Sequence, residues 1–199
     1  MENNSNNYEG EHPEIIKQKG LESLILLIIG ADKSPISLLH LQKETFLLWN
    51  FHPYMKEFIH FVGHYRGPFS SEVEKTVLYP RYLEDCWSYI PPRAKPSRDI
   101  LSGGYVQITQ KGQNKYDEIY SRAVKLDNLR VLLSGIKAVR ELYDKLNEEE
   151  LLLLIYDTYP EYKLKSNVSN MIFDKKNMLA KQIYEKGFID KERMENLIG

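Results

Sequence analysis

HFVGHYRGPFS, residues 60–70, is the stretch that decides the fold class of this chain. The alternation of residues in His60–Tyr65 predicts a strand, and the Gly67-Pro68 pair predicts the turn after it. Ser70 is a suitable N-cap, and acidic residues just after it favour the positive end of a helix, which Pro80 should interrupt. The stretch therefore predicts a strand and a turn that open onto a short helix.

Two apolar helices are predicted upstream of this stretch. The first begins at Pro13 and ends at Gly30, with isoleucines and leucines at helical spacing. The second covers Ile36–Asn50 and predicts an apolar, core-facing stripe opposite a polar side. The stripe consists of Leu38, Leu41, Thr45, Leu48 and Trp49, and the polar side consists of Gln42, Lys43 and Glu44.

Two segments downstream have the character of short strands, Cys86–Ile90 and Tyr105–Ile108. The loop between them, residues 91–104, is rich in proline and basic residues. Thr109 then caps an amphipathic helix that reaches about Lys125. The predicted elements follow the plan of a winged helix-turn-helix. Their order is helix, helix, aromatic turn, helix, two-stranded wing and capped helix. The predicted fold class is mostly α with a small β-wing.

The second half of the chain is predicted to be helical throughout. Helices are expected at 129–146, at 151–159 after an Asn147 N-cap, and in a final pair at 175–186 and 190–198. We therefore expect a polar, disordered tail at 1–12, a winged-helix domain at 13–125 and a C-terminal helical extension at 126–199. The amphipathic helices within Thr109–Leu146 either support a homodimer or fold back on the wing domain.

Composition excludes several classes of protein. The 199 residues carry a net charge of −1, so any basic footprint for nucleic acid must be local. The single cysteine, Cys86, rules out an intramolecular disulfide and fits a reducing cytoplasm. The apolar run Leu24–Gly30 is far shorter than the roughly 20 residues that a membrane-spanning helix needs, so a buried helix and no membrane are expected.

The order of three short motifs supports a family comparison. The motifs are LQK at residues 41–43, GHYRGPFS at 63–70 and ITQKG at 108–112. Together they resemble the Panacea (SocA-like antitoxin) and YwgA-like proteins. The resemblance covers roughly Leu21–Ile119. Two departures are Arg66, which stands where the family runs from an aromatic residue directly to glycine, and a long Pro-rich wing. The resemblance implies a winged-helix core that binds a protein partner in toxin–antitoxin or proteolytic-adaptor systems.

Nucleic acid is the alternative partner. A basic wing reaches phosphates or a narrow minor groove, although three phosphate contacts alone bind weakly and a solvated loop explains the charges equally well. The helix that starts at Ser70 presents Glu72 and Glu74, and no Arg, Asn or Gln there can read a base. The candidate nucleic-acid-binding residues are Arg81, Arg93, Lys95, Arg98, Lys111 and Lys115.

The sequence gives no catalytic signature, so we predict no enzyme, no cofactor and no metal site. His60 and His64 are four residues apart but fall on a strand and a turn, with no acidic residue nearby in sequence. Cys86 has aromatic neighbours and is typical of a small buried side chain. An unrecognised site around these three residues is the third alternative.

The leading hypothesis is a non-catalytic winged-helix binding module, antitoxin-like or regulatory, that engages a protein partner. Its candidate partner-binding residues are Tyr65, Phe69 and Tyr162, which are aromatic and lie in or near turns. A DNA-binding transcriptional regulator that uses the basic wing is the runner-up.

Overall fold

The structure, a computed structural model, describes residues 12–53, 55–93 and 99–199, with the backbone alone at residues 99 and 100. It is mostly helical, with a small antiparallel sheet and a separate two-stranded hairpin. The helices are α1 (Pro13–Gly30), α2 (Leu38–Phe51), α3 (Met55–Phe58), α4 (Ser71–Leu78), α5 (Asp99–Ser102), α6 (Gln110–Ala123), α7 (Asp127–Tyr143), α8 (Glu148–Thr158), α9 (Ser169–Asp174), α10 (Lys176–Glu185) and α11 (Lys191–Ile198). The strands are β1 (Ile36–Ser37), β2 (Val62–His64), β3 (Gly67–Phe69), β4 (Trp87–Ile90) and β5 (Tyr105–Ile108).

Helix α1 is the centre of the first hydrophobic core. It ends at Gly30, as predicted, and its second half is buried from Ile25 onward. Gly30 allows α6 to approach closely, because the ring of Tyr116 occupies the space that a Cβ would need. The predicted tail at 1–12 lies outside the described residues except for His12, whose carbonyl accepts hydrogen bonds from the first turn of α1.

The three-stranded sheet lies against this core in the order β1-β5-β4. The two predicted strands form an antiparallel pair, in which Trp87 lies opposite Ile108. The prediction that the second helix starts at Ile36 is wrong, because Ile36 pairs with Val106 in β1 and the helix begins at Leu38 after an N-cap by Ser37. Ser37 caps α2 by accepting a hydrogen bond from the His40 N–H at 3.1 Å.

Helix α2 is buried on every side from Leu38 to Leu48, so the polar side that the sequence predicts opposite the apolar stripe also faces the interior. Gln42 and Lys43 are each 3% exposed and Glu44 is fully buried, alongside the predicted apolar stripe. These three side chains face other parts of the protein rather than water. Burial of Gln42 and Lys43 requires a hydrogen-bond partner for each, and those partners lie far away in sequence. Glu44 faces the Arg140 guanidinium, which is also far away in sequence.

Residues 60–70 form a β-hairpin rather than a strand followed by a turn. Strands β2 and β3 pair antiparallel, with Val62 opposite Phe69 and His64 opposite Gly67. The turn is at Tyr65-Arg66, so the Gly67-Pro68 pair belongs to β3 and not to the turn. Gly67 adopts a positive φ of 85°, which relieves the backbone of the strain that a side chain would bring there.

The second hydrophobic core is built by α8, α9, α10 and α11, with Leu39 of α2 included in it. The predicted N-cap at Asn147 is confirmed as a capping box, in which Asn147 and Glu150 each accept from the backbone N–H of the other. Helix α7, which the sequence assigns to the C-terminal extension, contributes Leu133, Ile136 and Val139 to the first core.

Candidate functional site

Two neighbouring side chains of α2 hold the backbone of the hairpin. Gln42 Nε2 donates to the carbonyl of Ser70 at 2.9 Å, and Gln42 Oε1 accepts from the Ser70 N–H at 2.9 Å. Lys43 Nζ donates to the carbonyl of Pro68 at 2.8 Å. The LQK and GPFS motifs are thereby brought into direct contact, and the start of α4 is fixed relative to α2.

A cavity of about 260 Å³ opens beside these contacts. Its walls come from α2, the β2–β3 hairpin, α4, β4 and the turn after α5. The polar residues that line it are Gln42, Lys43, His64, Arg66, Glu74, Tyr89 and Ser102, and the apolar ones are Leu38, Leu39, Phe69, Leu78 and Pro92. We refer to it below as the hairpin cavity.

Lys43 is the most unusual charged group of the hairpin cavity. Burial, helped by the nearby positive charge of Arg66, lowers the pKa of Lys43 to about 7. A buried ammonium of this kind is readily stabilised by an anion, because an opposite charge offsets the loss of solvation. The pair of Lys43 and Arg66 therefore gives the hairpin cavity an anion-attracting end.

Arg66 ties the hairpin turn to the opposite wall. Its Nη1 donates to the carbonyl of Leu101 at 2.9 Å, and Tyr89 Oη donates to the carbonyl of Gly103 at 2.9 Å. Gly103 has a positive φ of 71° and lies against Arg66. The arginine that interrupts the family-like motif thus lines the hairpin cavity.

The three candidate partner-binding residues have different surroundings. Tyr65 is 59% exposed at the tip of the hairpin. Phe69 is half-buried and stacks on the ring of His64, with 4.6 Å between centroids. Tyr162 is also half-buried, because its ring packs edge-on against Phe46 at 5.0 Å. Of the three, Tyr65 is the most accessible to a partner.

Two further apolar side chains are exposed in the same part of the molecule, and the sequence did not single them out. Val62 is 57% exposed on β2, and Leu164 is 87% exposed in the segment before α9. That segment is fastened to the hairpin, because the carbonyl of Tyr65 accepts from Asn167 N at 3.0 Å and from Ser166 Oγ at 3.1 Å. Val62, Tyr65 and Leu164 are called the hairpin surface below.

The candidate nucleic-acid residues that the structure describes do not form a strong basic patch. Arg81 and Arg93 are exposed, whereas Lys95 and Arg98 lie outside the described residues. Lys111 is 3.5 Å from a carboxylate oxygen of Asp85, and Lys115 is 2.7 Å from one of Glu118. Two of the four described cations therefore face a carboxylate.

His60, His64 and Cys86, the residues of the enzymatic alternative, each have different surroundings. His60 Nδ1 is 3.0 Å from Glu72 Oε1, an acidic neighbour that lies on α4. His64 stacks on Phe69, and Cys86 is buried as a free thiol whose pKa is raised by burial. Within the described ranges, no three His, Cys, Asp or Glu residues are grouped so that they could hold a metal ion.

Neither a family model nor a curated protein matches this chain. Over the part of the chain that the structure describes, every helix is too short or too polar to span a membrane.

A second buried polar network joins α2 to α7. Arg140 Nη1 is 2.9 Å from Asp144 Oδ1 and 3.6 Å from Glu44 Oε2, and Arg140 and Glu44 are almost fully buried. Burial raises the pKa of Glu44 well above its usual range, and burial also raises the pKa of Asp144. The network joins the two helices, with Glu44 and Arg140 in the interior and Asp144 at its accessible edge.

His40 also has a structural role. Its Nε2 lies 2.9 Å from the carbonyl of Leu146, which requires a proton on that nitrogen, and its Nδ1 then accepts from Ser37 Oγ at 3.0 Å. Burial lowers the pKa of His40, which favours this neutral form. His40 thereby ties the start of α2 to the turn before α8.

Proposed function

We propose that this chain is a non-catalytic binding module, antitoxin-like or regulatory, and that it engages a protein partner through the hairpin surface and the adjoining hairpin cavity. Residues 13–125 would form the winged-helix domain and residues 126–199 its helical extension. The observation that carries the proposal is the exposure of three large apolar side chains, Val62, Tyr65 and Leu164, on the hairpin and on the segment fastened to it. His64, Arg66 and Phe69 of the same hairpin line a cavity that is both apolar and charged. Exposed apolar side chains grouped around a pocket are typical of protein interaction sites.

The order of elements supports the winged-helix assignment. Helix α1, strand β1, helices α2 and α4, and strands β4 and β5 follow each other as in that plan, with the short α3 and the hairpin inserted between α2 and α4. The antiparallel order β1-β5-β4 places the first strand beside the last. The segment between β4 and β5, residues 91–104, would be the wing.

Charge favours a protein over DNA as the partner. In a winged helix-turn-helix, α4 would enter the major groove, yet it carries Glu72 and Glu74 in its first turn. Carboxylates at that position repel phosphates, and two of the described cations face acidic residues already. DNA binding through the wing is the second candidate, and its support is the exposed Arg93 in the run that continues to Lys95 and Arg98.

Two measurements separate these candidates. In the first, the immobilised full chain captures proteins from an extract of its own source cells, and the Tyr65→Ser/Leu164→Ser variant is compared with Tyr184→Ser, a change at an exposed tyrosine of α10. Loss of one captured protein with the double variant but not with the control supports the proposal. Retention of every captured protein by the double variant contradicts it.

The second measurement titrates a mixed-sequence duplex at about 50 and 200 mM salt, the range over which phosphate contacts weaken most visibly. We expect no saturable binding. A salt-steep association that is lost in Arg93→Ala/Lys95→Ala would replace the protein-binding proposal with the DNA-binding one. Sedimentation of the same preparation tests the predicted homodimer through residues 109–146, where Val124, Leu126, Val131 and Leu142 are exposed.

A further inference from the structure

We propose that the hairpin cavity receives the C-terminal residue of a partner protein, with its carboxylate at Lys43 and Arg66 and its apolar side chain against the leucines of α2 and α4. The inference rests on the proposed function, because it names the part of the protein partner that is bound. It is carried by the geometry of one small cavity that has a cationic end and an apolar wall.

The cationic end is built into the fold. Lys43 is 3% exposed, and among the described residues its Nζ makes one hydrogen bond, to the Pro68 carbonyl at 2.8 Å. An ammonium group has three donors, so the contact to Pro68 leaves further donors on Lys43, which lines the cavity. Arg66 adds a second positive charge close enough to disfavour the protonated form of Lys43. Two cations held together in this way gain from a shared anion.

The size and the apolar wall limit what that anion is. Pockets that enclose a whole small ligand commonly measure roughly 300–1,000 Å³, whereas the hairpin cavity measures about 260 Å³. The apolar residues Leu38, Leu39 and Leu78 line it together with Phe69 and Pro92. A bare inorganic anion would leave this wall without a partner. A single amino-acid residue with an aliphatic side chain fits both parts.

Only the last residue of a chain carries a carboxylate and an aliphatic side chain on one Cα. An internal Asp or Glu supplies the carboxylate but needs a second residue to fill the apolar wall, and a cavity of this size does not favour two. Glu74 also lines the cavity, from α4. Its carboxylate can accept the backbone N–H of the terminal residue.

The probes are three acetylated tripeptides titrated into the isotope-labelled full chain and followed by amide chemical shifts. The first, Ac-Ala-Ala-Leu, has a free C-terminus; the second is its C-terminal amide; the third, Ac-Ala-Glu-Leu-amide, carries only a side-chain carboxylate. We expect the free acid to bind at least tenfold more tightly than either amide. The shifted amides should be those around the cavity, at residues 66, 67, 69, 70, 89 and 102–104.

Variants then test the two cations. Arg66→Gln is expected to weaken binding of the free acid at least tenfold, and Lys43→Gln should do the same. Arg81→Gln, a change at an exposed arginine outside the cavity, is the matched control and should bind as the unchanged protein does. If Lys43→Gln does not fold, Arg66→Gln still decides the question, because Arg66 is only half-buried and lies in the hairpin turn.

Four results would overturn the inference. These are equal binding of acid and amide, preferred binding of the internal glutamate peptide, shifts confined to another surface, and no binding at the highest soluble concentration. Each of them leaves the proposed function standing if the Tyr65→Ser/Leu164→Ser variant still loses its captured protein. Conversely, tight binding of the free acid with no captured protein would support the cavity and count against the hairpin surface.

Discussion

Gln42 binds the backbone of Ser70 from both sides, donating to its carbonyl and accepting from its N–H at 2.9 Å each. Ser70 is fully buried and is itself the N-cap of α4, where its Oγ accepts from Val73 N at 3.3 Å. One amide side chain of α2 therefore determines where the hairpin ends and where the next helix starts. The contact spans 28 residues of sequence.

Replacing this amide should destabilise the protein strongly. In Gln42→Met the N–H and the carbonyl of Ser70 are left buried without their partner, at a cost of about 1–3 kcal/mol for each group. We expect the free energy of unfolding in urea to fall by about 2–4 kcal/mol. Gln110→Met, which removes a hydrogen bond to Asn114 at the surface, should change it by less than about 0.5 kcal/mol. Equal effects of the two changes would contradict the role of Gln42.

Arg140 should be essential because of Glu44. Arg140→Met removes the cation that faces the buried Glu44 and the more accessible Asp144, and breaking a buried pair costs about 3–5 kcal/mol. Lys137→Met on the same helix α7 is the control, since its pair with Glu141 is solvent-exposed and should contribute less than about 1 kcal/mol. Urea unfolding measures both.

The double variant Glu44→Gln/Arg140→Met provides the stricter test of this pair. If the cost of Arg140→Met comes from an uncompensated buried carboxylate, removing that carboxylate as well should recover part of the lost stability. The double variant should therefore unfold at a higher urea concentration than Arg140→Met alone. Strictly additive losses would show that the two residues act independently.

Local signals in the sequence predicted much of the secondary structure. Gly30 ends α1, Thr109 caps α6 and Asn147 opens α8, as expected, because each of these signals acts within a few residues. The strands Trp87–Ile90 and Tyr105–Ile108 were also recognisable from their residue types. Glycines, capping residues and β-favouring side chains each indicate the backbone conformation at their own position, so they can be read from the sequence alone.

The candidate site was much less predictable, because its burial depends on distant partners. Gln42, Lys43 and Glu44 look like a solvated face until Ser70, Pro68 and Arg140 are placed beside them, and those residues are 25 to almost 100 positions away. A helix pattern gives the direction of a side chain but not what covers it. The position of Leu164 beside the hairpin also follows from contacts to Tyr65 that no local pattern encodes.

Lys43 should make stability depend on pH. Its pKa is about 7 in the folded protein and 10.5 in a solvated lysine, so the unfolded state binds more protons throughout that interval. The free energy of unfolding therefore rises with pH across it, by up to about 1.4 kcal/mol per pH unit, while below pH 7 the full cost of burying the ammonium is present.

The comparison of the protein with Lys43→Met isolates this contribution, because other titrating groups cancel. The stability of the unchanged protein relative to the variant should increase between pH 7 and pH 9, as measured by urea unfolding at several pH values. Lys75→Met, at an exposed lysine of α4, controls for the loss of a lysine elsewhere. A difference between the two proteins that stays constant over this range would mean that Lys43 does not titrate there.

Glu22 should hold the segment that leads from α4 to β4. Its carboxylate is fully buried and accepts from the backbone N–H groups of Arg81, Tyr82 and Leu83 at 2.8–2.9 Å. Three N–H groups converging on one carboxylate form an anion-binding turn, and here the anion is supplied by α1. We therefore expect the conformation of residues 81–83 to depend on an oxygen acceptor for each of these three N–H groups.

Glu22→Gln tests this arrangement with almost no change in volume. The amide keeps one accepting oxygen and turns an NH₂ group toward backbone donors, so at least one buried N–H loses its acceptor, at a cost of about 1–3 kcal/mol. We expect hydrogen exchange at one or more of the Arg81, Tyr82 and Leu83 amides to become faster by the corresponding factor, with the core amides of α8 much less affected. Glu14→Gln, at an exposed position in the first turn of α1, should leave these amides unchanged. If the 81–83 amides exchange at the same rate in Glu22→Gln as in the unchanged protein, the carboxylate does not hold the segment, and the geometry before β4 must come from Trp87, whose Nε1 donates to the Val77 carbonyl at 2.9 Å.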